Sequence, residues 1–191
     1  MTLLVTGLVL FFAVHSVSIV SERWRNRMAL RLGELPWMGL YSLIALIGLV
    51  LIVRGYGSAR LDPVVLYVPP PWLHWLTLVL MLPVFPLLLA AYLPGRIRTA
   101  TRHPMLAATK LWATAHLLAN GTLADLLLFG GFLAWAIADR ISLKYRTPRP
   151  VPGAPTTGYN DLIAVVLGLV LYLAFAFRLH ARLIGVPVFG S

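Results

Sequence analysis

Six apolar runs, at about 3–20, 37–54, 72–93, 104–119, 122–139 and 160–177, decide what this chain can fold into. A helix needs roughly 17–25 such residues to cross a bilayer at about 1.5 Å per residue. Every run is long enough, the fourth only just. Composition agrees: the chain is 60% hydrophobic and 12% charged, against about 45–50% and about 25% for a soluble domain. The expected fold is all-α: a polytopic transmembrane bundle of about six helices, built as one domain over residues 1–191 and embedded in a lipid bilayer.

Orientation follows from the loops. Arg23, Arg25, Arg27 and Arg31 follow the first run; Arg96, Arg98 and Arg102 follow the third; Arg140, Lys144, Arg146 and Arg149 follow the fifth. These alternate loops share one side and hold eleven basic residues, against four on the other: Arg54, Arg60, Arg178 and Arg182. The excess of arginine and lysine marks the cytoplasmic side. Both termini are therefore expected on the non-cytoplasmic face of a bacterial inner membrane. The net charge of +10 is a topology signal on this reading, and nucleic acid is not an expected partner. Met1-Thr2 has no basic region ahead of the first run, so that run reads as a retained helix, not a cleaved signal.

Within the runs, proline, glycine and tryptophan add detail. Pro83 and Pro86 each remove a backbone donor and predict a kink in the third helix. Gly130-Gly131 would let another helix approach the fifth closely. Trp24, Trp37, Trp72 and Trp75 lie near helix ends, as an interfacial belt requires. The proline-rich stretch RTPRPVPGAPTTGYN predicts an extended, mobile loop.

There is no cysteine, which excludes disulfides, thiolate ligation, covalent c-type heme and a cysteine nucleophile. Polar groups inside apolar runs are costly and commonly functional, so the histidines carry the search for a site. His74 and His180, near helix ends, read as interfacial. His15 shares a helix face with Phe11, Phe12 and Ser18. It suits either a metal or flat-ring contact or a structural hydrogen bond between helices.

The segment TRHPMLAATKLWATAHLLANG holds His103, Lys110, His116 and Asn120. His103 and Lys110 share one face. His116, thirteen residues beyond His103, is rotated by about 220° and points elsewhere. Lys110 costs roughly 2.5–3.5 kcal/mol at a helix centre. It therefore either faces a polar cavity or an anion, such as a heme propionate or phosphate, or snorkels to the interface.

RHPML followed by LWATAHLLANG, with VHSVSI and LGELPWMGLYSLIALIGL upstream, resembles the NnrU family of bacterial membrane proteins over about residues 15–146. That family is associated with nitrite and nitric oxide metabolism. It is related to the plant 15-cis-zeta-carotene isomerase, a heme b protein with two histidines proposed as axial ligands. The resemblance implies heme b, with His15 and His116 as the axial pair and His103 matching a further motif histidine. Arg102, His103 and Lys110 would then lie near propionates or substrate. The implied activity is redox chemistry or isomerisation of a lipophilic or small nitrogen-containing ligand.

Two alternatives stay open. One is a non-catalytic membrane component supporting nitrite or nitric oxide reductase. The other is a membrane methyltransferase using S-adenosylmethionine, whose isoprenylcysteine-modifying members share the Arg-His-Pro motif. Against the latter, Asp161 is the single acidic residue after position 140.

Overall fold

A computed structural model describes residues 1–147, 149 and 151–189. Among them the structure is all-helical, and an isolated antiparallel bridge joins Val65 to Thr122. In chain order the helices are α1 (Thr2–Val20), α2 (Glu22–Leu32), α3 (Glu34–Ala59), α4 (Trp72–Met81), α5 (Val84–Ala90), α6 (Arg96–Thr101), α7 (Pro104–Ala119), α8 (Leu123–Ser142), α9 (Asn160–Ala174) and α10 (His180–Ile184). A π-helical turn, Phe175–Leu179, joins α9 to α10. The chain divides into two compact units, residues 1–68 with 121–147, and residues 69–120 with the described part of 148–191.

In the first unit α1 lies against α3 with almost no side chain between them. A Cβ added at Gly7 would sit 2.6 Å from the Ile52 nitrogen, and one at Gly48 2.9 Å from the Phe11 nitrogen. Small residues let backbones meet in this way, and in lipid such packing replaces the hydrophobic drive as the source of association. Gly131 fulfils its expected role only in part, with Phe12 of α1 3.0 Å from where its Cβ would be. Gly130 meets only Leu126 of its own helix, at 3.6 Å.

The arginine-rich loop after α1 is largely helix α2. Ser21 accepts a hydrogen bond from the Trp24 amide at 3.2 Å, Glu22 lies in the first turn and Arg31 in the last. A side-chain cap and charges opposed to the helix dipole favour the helix, and arginine is itself a good helix former. Gly33 ends it at φ +86°, a conformation that costs glycine little. Trp24 and Trp37 then meet edge-on, ring centroids 5.9 Å apart. The chain after α3 returns to α8 through Val64–Tyr67, where the Gly121 carbonyl accepts from Leu66 and Tyr67 and the Leu123 amide donates to Val64. A side chain at Gly121 would collide with the Tyr67 carbonyl.

In the second unit the proline pair acts as expected, dividing the third run into α4 and α5 at Pro83. The break has a consequence. The Leu82 amide bonds Val79 rather than Leu78, and the Tyr172 hydroxyl donates to the Leu78 carbonyl at 3.1 Å. Gly168 of α9 lies against Pro86, whose nitrogen would be 2.5 Å from an added Cβ. Helix α7 packs on α4 and α5, burying Leu106, Ala108, Ala113 and Ala115. The Thr77 hydroxyl donates to the Ala115 carbonyl at 2.9 Å.

The proline-rich segment is extended over the described residues but tied down. The Ala154 amide donates to Tyr92 at 2.8 Å, and the Asn160 amide group donates to Pro94 and Pro155 at 2.8 and 3.0 Å.

Among the described residues four helical stretches are long and apolar enough to cross a membrane: Thr2–Val20, Glu34–Ala59, Trp72–Ala90 and Asn160–Ile184. The fourth and fifth expected spans are helices at their expected places but lie outside this set. Helix α7 has 16 residues, about 24 Å against a hydrocarbon core of about 30 Å. Helix α8 has 20 residues, but Asp125, Asp139 and Arg140 lie within it.

Candidate functional site

On α8, residues 125, 128, 132, 135, 139, 142 and 146 continue one stripe at alternating spacings of three and four, the repeat that keeps side chains on one helical face. Helix α1 packs along α8. The result in the first unit is a ladder that is polar at both ends and aromatic in the middle.

His15 stands beside the aromatic section. Its ring stacks on Phe11 with centroids 4.0 Å apart. It meets Tyr41 of α3 and Trp135 of α8 edge-on at 5.2 and 5.8 Å. Phe132 closes on Phe11 and Phe12 at 5.4 and 5.0 Å. The His15 Nδ1 is 2.7 Å from the Phe11 carbonyl. A carbonyl only accepts, so a neutral ring carries its proton on Nδ1 and its lone pair on Nε2. The Trp135 Nε1–H is buried without an acceptor, an uncommon condition for a ring nitrogen.

Below this cage Asp139 pairs with Arg146, which folds back from beyond the end of α8. The Asp139 carboxylate is close enough to act electrostatically on both His15 and Tyr41. At the opposite end Asp125, only 4% exposed, accepts from the Tyr56 hydroxyl at 2.5 Å and from the Thr122 amide and hydroxyl at 2.9 and 2.6 Å. Thr122 returns the contact as the N-cap of α8. This completes a capping box. Outside the spans, burial and then the Asp125 charge push the Tyr67 phenol above its usual range.

The other residues singled out from the sequence lie in the second unit. His116 repeats the His15 arrangement: its Nδ1 is 2.8 Å from the Trp112 carbonyl, its ring lies 5.4 Å from the Trp112 ring, and the Asn120 amide group donates to its backbone carbonyl at 2.9 Å. His103 is the N-cap of α7, with Pro104 in the first turn. Arg102 before it holds φ +61° and is exposed. Lys110 is half-buried on α7. His180 closes the C-terminal turn through its Nδ1, 2.7 Å from the Val186 carbonyl, and His74 meets Trp75 edge-on. Those last two roles agree with an interfacial reading. Asp161 is committed to the start of α6, accepting from the Arg96 and Ile97 amides at 2.8 and 3.1 Å. That occupies the acidic residue a methyltransferase reading would draw on. Among the described residues no group of three or more histidine, aspartate or glutamate side chains gathers as a metal cluster.

Reasoning from the sequence named His15 but missed Tyr41, Trp135, Asp139, Arg146 and the Tyr56–Asp125 pair. The signal was available on α8, where two aspartates fourteen residues apart bracket an aromatic stripe inside a run of spanning length. Tyr41 and Tyr56 carried no such signal, because only packing brings them to α8.

No curated protein sequence and no solved structure matches the chain. A model of the NnrU protein family matches residues 3–188. With nearly the whole length covered, and an all-helical fold rich in spanning helices, the chain belongs to the NnrU family of membrane proteins.

Proposed function

We propose that this NnrU-family protein is a six-span inner-membrane hemoprotein with both termini on the non-cytoplasmic side. His15 and His116 would hold heme b. The observation that carries the reading is the shared state of these two rings. Each has Nδ1 held by the carbonyl one helical turn back, which fixes the tautomer and presents Nε2 as the ligating nitrogen. Two neutral imidazoles without cysteine suit a non-covalent bis-histidine site. The unpaired Trp135 Nε1–H beside His15 adds a donor for an oxygen-bearing ligand.

Heme b, when bound, would supply one-electron redox chemistry. The chain's own contributions are distinct. The Phe11 carbonyl holds the His15 proton, and the Phe11, Tyr41 and Trp135 rings enclose that imidazole. Arg102, His103 and Lys110 supply donors and positive charge for carboxylates or substrate. The reaction is redox chemistry or isomerisation of a lipophilic or small nitrogen-containing ligand, within nitrite and nitric oxide metabolism. Six spans follow if the bilayer thins locally around α7 and α8 shelters its charges in internal pairs. The eleven-to-four bias of basic residues sets the orientation.

The test is the absorption spectrum of detergent-purified protein from heme-sufficient cells. A Soret band is expected that His15→Ala or His116→Ala removes and His180→Ala leaves, with helicity unchanged by circular dichroism. Absence of any Soret band in the unaltered protein refutes the proposal.

A further inference from the structure

A groove of about 650 Å³ opens in the first unit where α1 ends, α2 begins and α8 runs out. Its polar lining is dense: the hydroxyls of Ser18, Ser21, Ser142 and Tyr145, with Arg23 and Arg146. Glu22 is its one carboxylate. Its remaining wall is apolar, and two members of that wall, Val20 and Ile141, are 83% and 50% exposed. The same surface continues along α8 to Ile137, 46% exposed. Val20 is the last residue of a membrane-spanning stretch, so the groove lies at the depth where hydrocarbon gives way to headgroups.

Arg146 is the informative member. Its side chain is only 15% exposed and is held against Asp139, yet its Nε–H is buried without an acceptor. A guanidinium presents five donors, and carboxylate or phosphate oxygens match its fork. Asp139 satisfies part of that capacity. Arg146 also lines the groove, where an anion would meet guanidinium donors beyond those Asp139 takes, and Arg23 with Ser18, Ser21 and Ser142 stands in the same groove.

We propose that this groove binds the phosphate headgroup of an anionic phospholipid, with an acyl chain lying along Val20, Ile137 and Ile141. The choice of a lipid over a free phosphate rests on the wall. A soluble anion gains nothing from exposed isoleucine and valine beside its site, whereas an acyl chain does. Helix α2 carries three further arginines, Arg25, Arg27 and Arg31, and clustered basic residues at the membrane surface are the pattern by which anionic leaflets are recognised. The bound lipid would clamp α2 and the end of α8 against α1, immediately beneath the His15 cage. The site does not depend on heme.

The experiment is titration of the full-length protein in neutral detergent with phosphatidylglycerol, phosphatidylcholine or inorganic phosphate, read by native mass spectrometry and tryptophan fluorescence. Phosphatidylglycerol is expected to bind and survive delipidation, and phosphatidylcholine to bind at least tenfold more weakly. Arg23→Gln is expected to weaken phosphatidylglycerol binding by about fivefold, and Ser142→Leu to abolish it by filling the groove. Because Arg146→Gln strands Asp139 and can unfold the unit, the first two variants carry the test, with melting temperature as the control for folding. Equal binding of the two lipids overturns the proposal, as does unaltered binding by both folded variants. Displacement of the lipid by millimolar inorganic phosphate overturns the lipid assignment and leaves a soluble phosphate as the occupant.

Discussion

Replacing Gly55 by alanine is expected to force α1 away from α3. The new Cβ would collide with the Leu4 nitrogen and lie 2.6 Å from the Leu4 Cα and 2.7 Å from the Leu3 carbonyl carbon. All three are backbone atoms, so no rotamer change relieves the contact. Ordinary contact begins near 3.4 Å, and the helices must part locally by about 1 Å or more. A gap of that size forfeits about a quarter to a half of each neighbouring dispersion contact, and overpacking of this kind costs about 1–3 kcal/mol. Alanine returns up to about 1 kcal/mol through helix propensity, which leaves a net loss of about 0–2 kcal/mol.

Gly57, two residues on in the same helix, is the control. Nothing lies within 4 Å of its would-be Cβ, so Gly57→Ala keeps only the propensity gain. The propensity gain is common to both, so the two variants should differ by the overpacking cost of about 1–3 kcal/mol when unfolding in mixed micelles is followed by circular dichroism against rising dodecyl sulfate. Gly55→Ala as stable as Gly57→Ala would refute the idea that direct backbone contact joins α1 to α3.

Three further outcomes follow from single contacts. Tyr56→Phe removes a phenol donor to the buried Asp125 carboxylate, and a loss of about 1–3 kcal/mol is expected in the same unfolding assay. Trp135→Phe deletes a buried donor that has no acceptor together with part of a ring packed against His15; the two effects oppose, so a loss below about 2 kcal/mol is expected in that assay, and a larger one would refute the unsatisfied indole nitrogen. Asp161→Asn weakens two charge-assisted bonds to the start of α6. A cost of about 1–2 kcal/mol is expected, with faster proteolysis near residues 94–103 as the independent readout.

Much of this molecule was legible in its sequence. The six apolar runs appear as helices near their expected limits, because length and hydropathy are local properties that lipid enforces. Pro83 ends α4 where the missing donor predicts. The family was readable from motifs around His15, His103 and His116, and the match over residues 3–188 agrees with it. The arginine-rich loop was misjudged, because charge density there masked a capped, helix-forming sequence that became α2.

What the sequence by itself determined is a membrane-embedded helical chain of the NnrU family, with His15 set among phenylalanines on its own helix. Only the tertiary structure decided what surrounds that histidine. Tyr41 and Trp135 lie on other helices, and Arg146 reaches Asp139 from beyond the end of its helix. Helical periodicity specifies which face a residue takes, but not which face of another helix comes to meet it. That choice fell to the glycines at 7, 48 and 55, whose missing side chains draw α1 against α3 and so carry Tyr41 to His15.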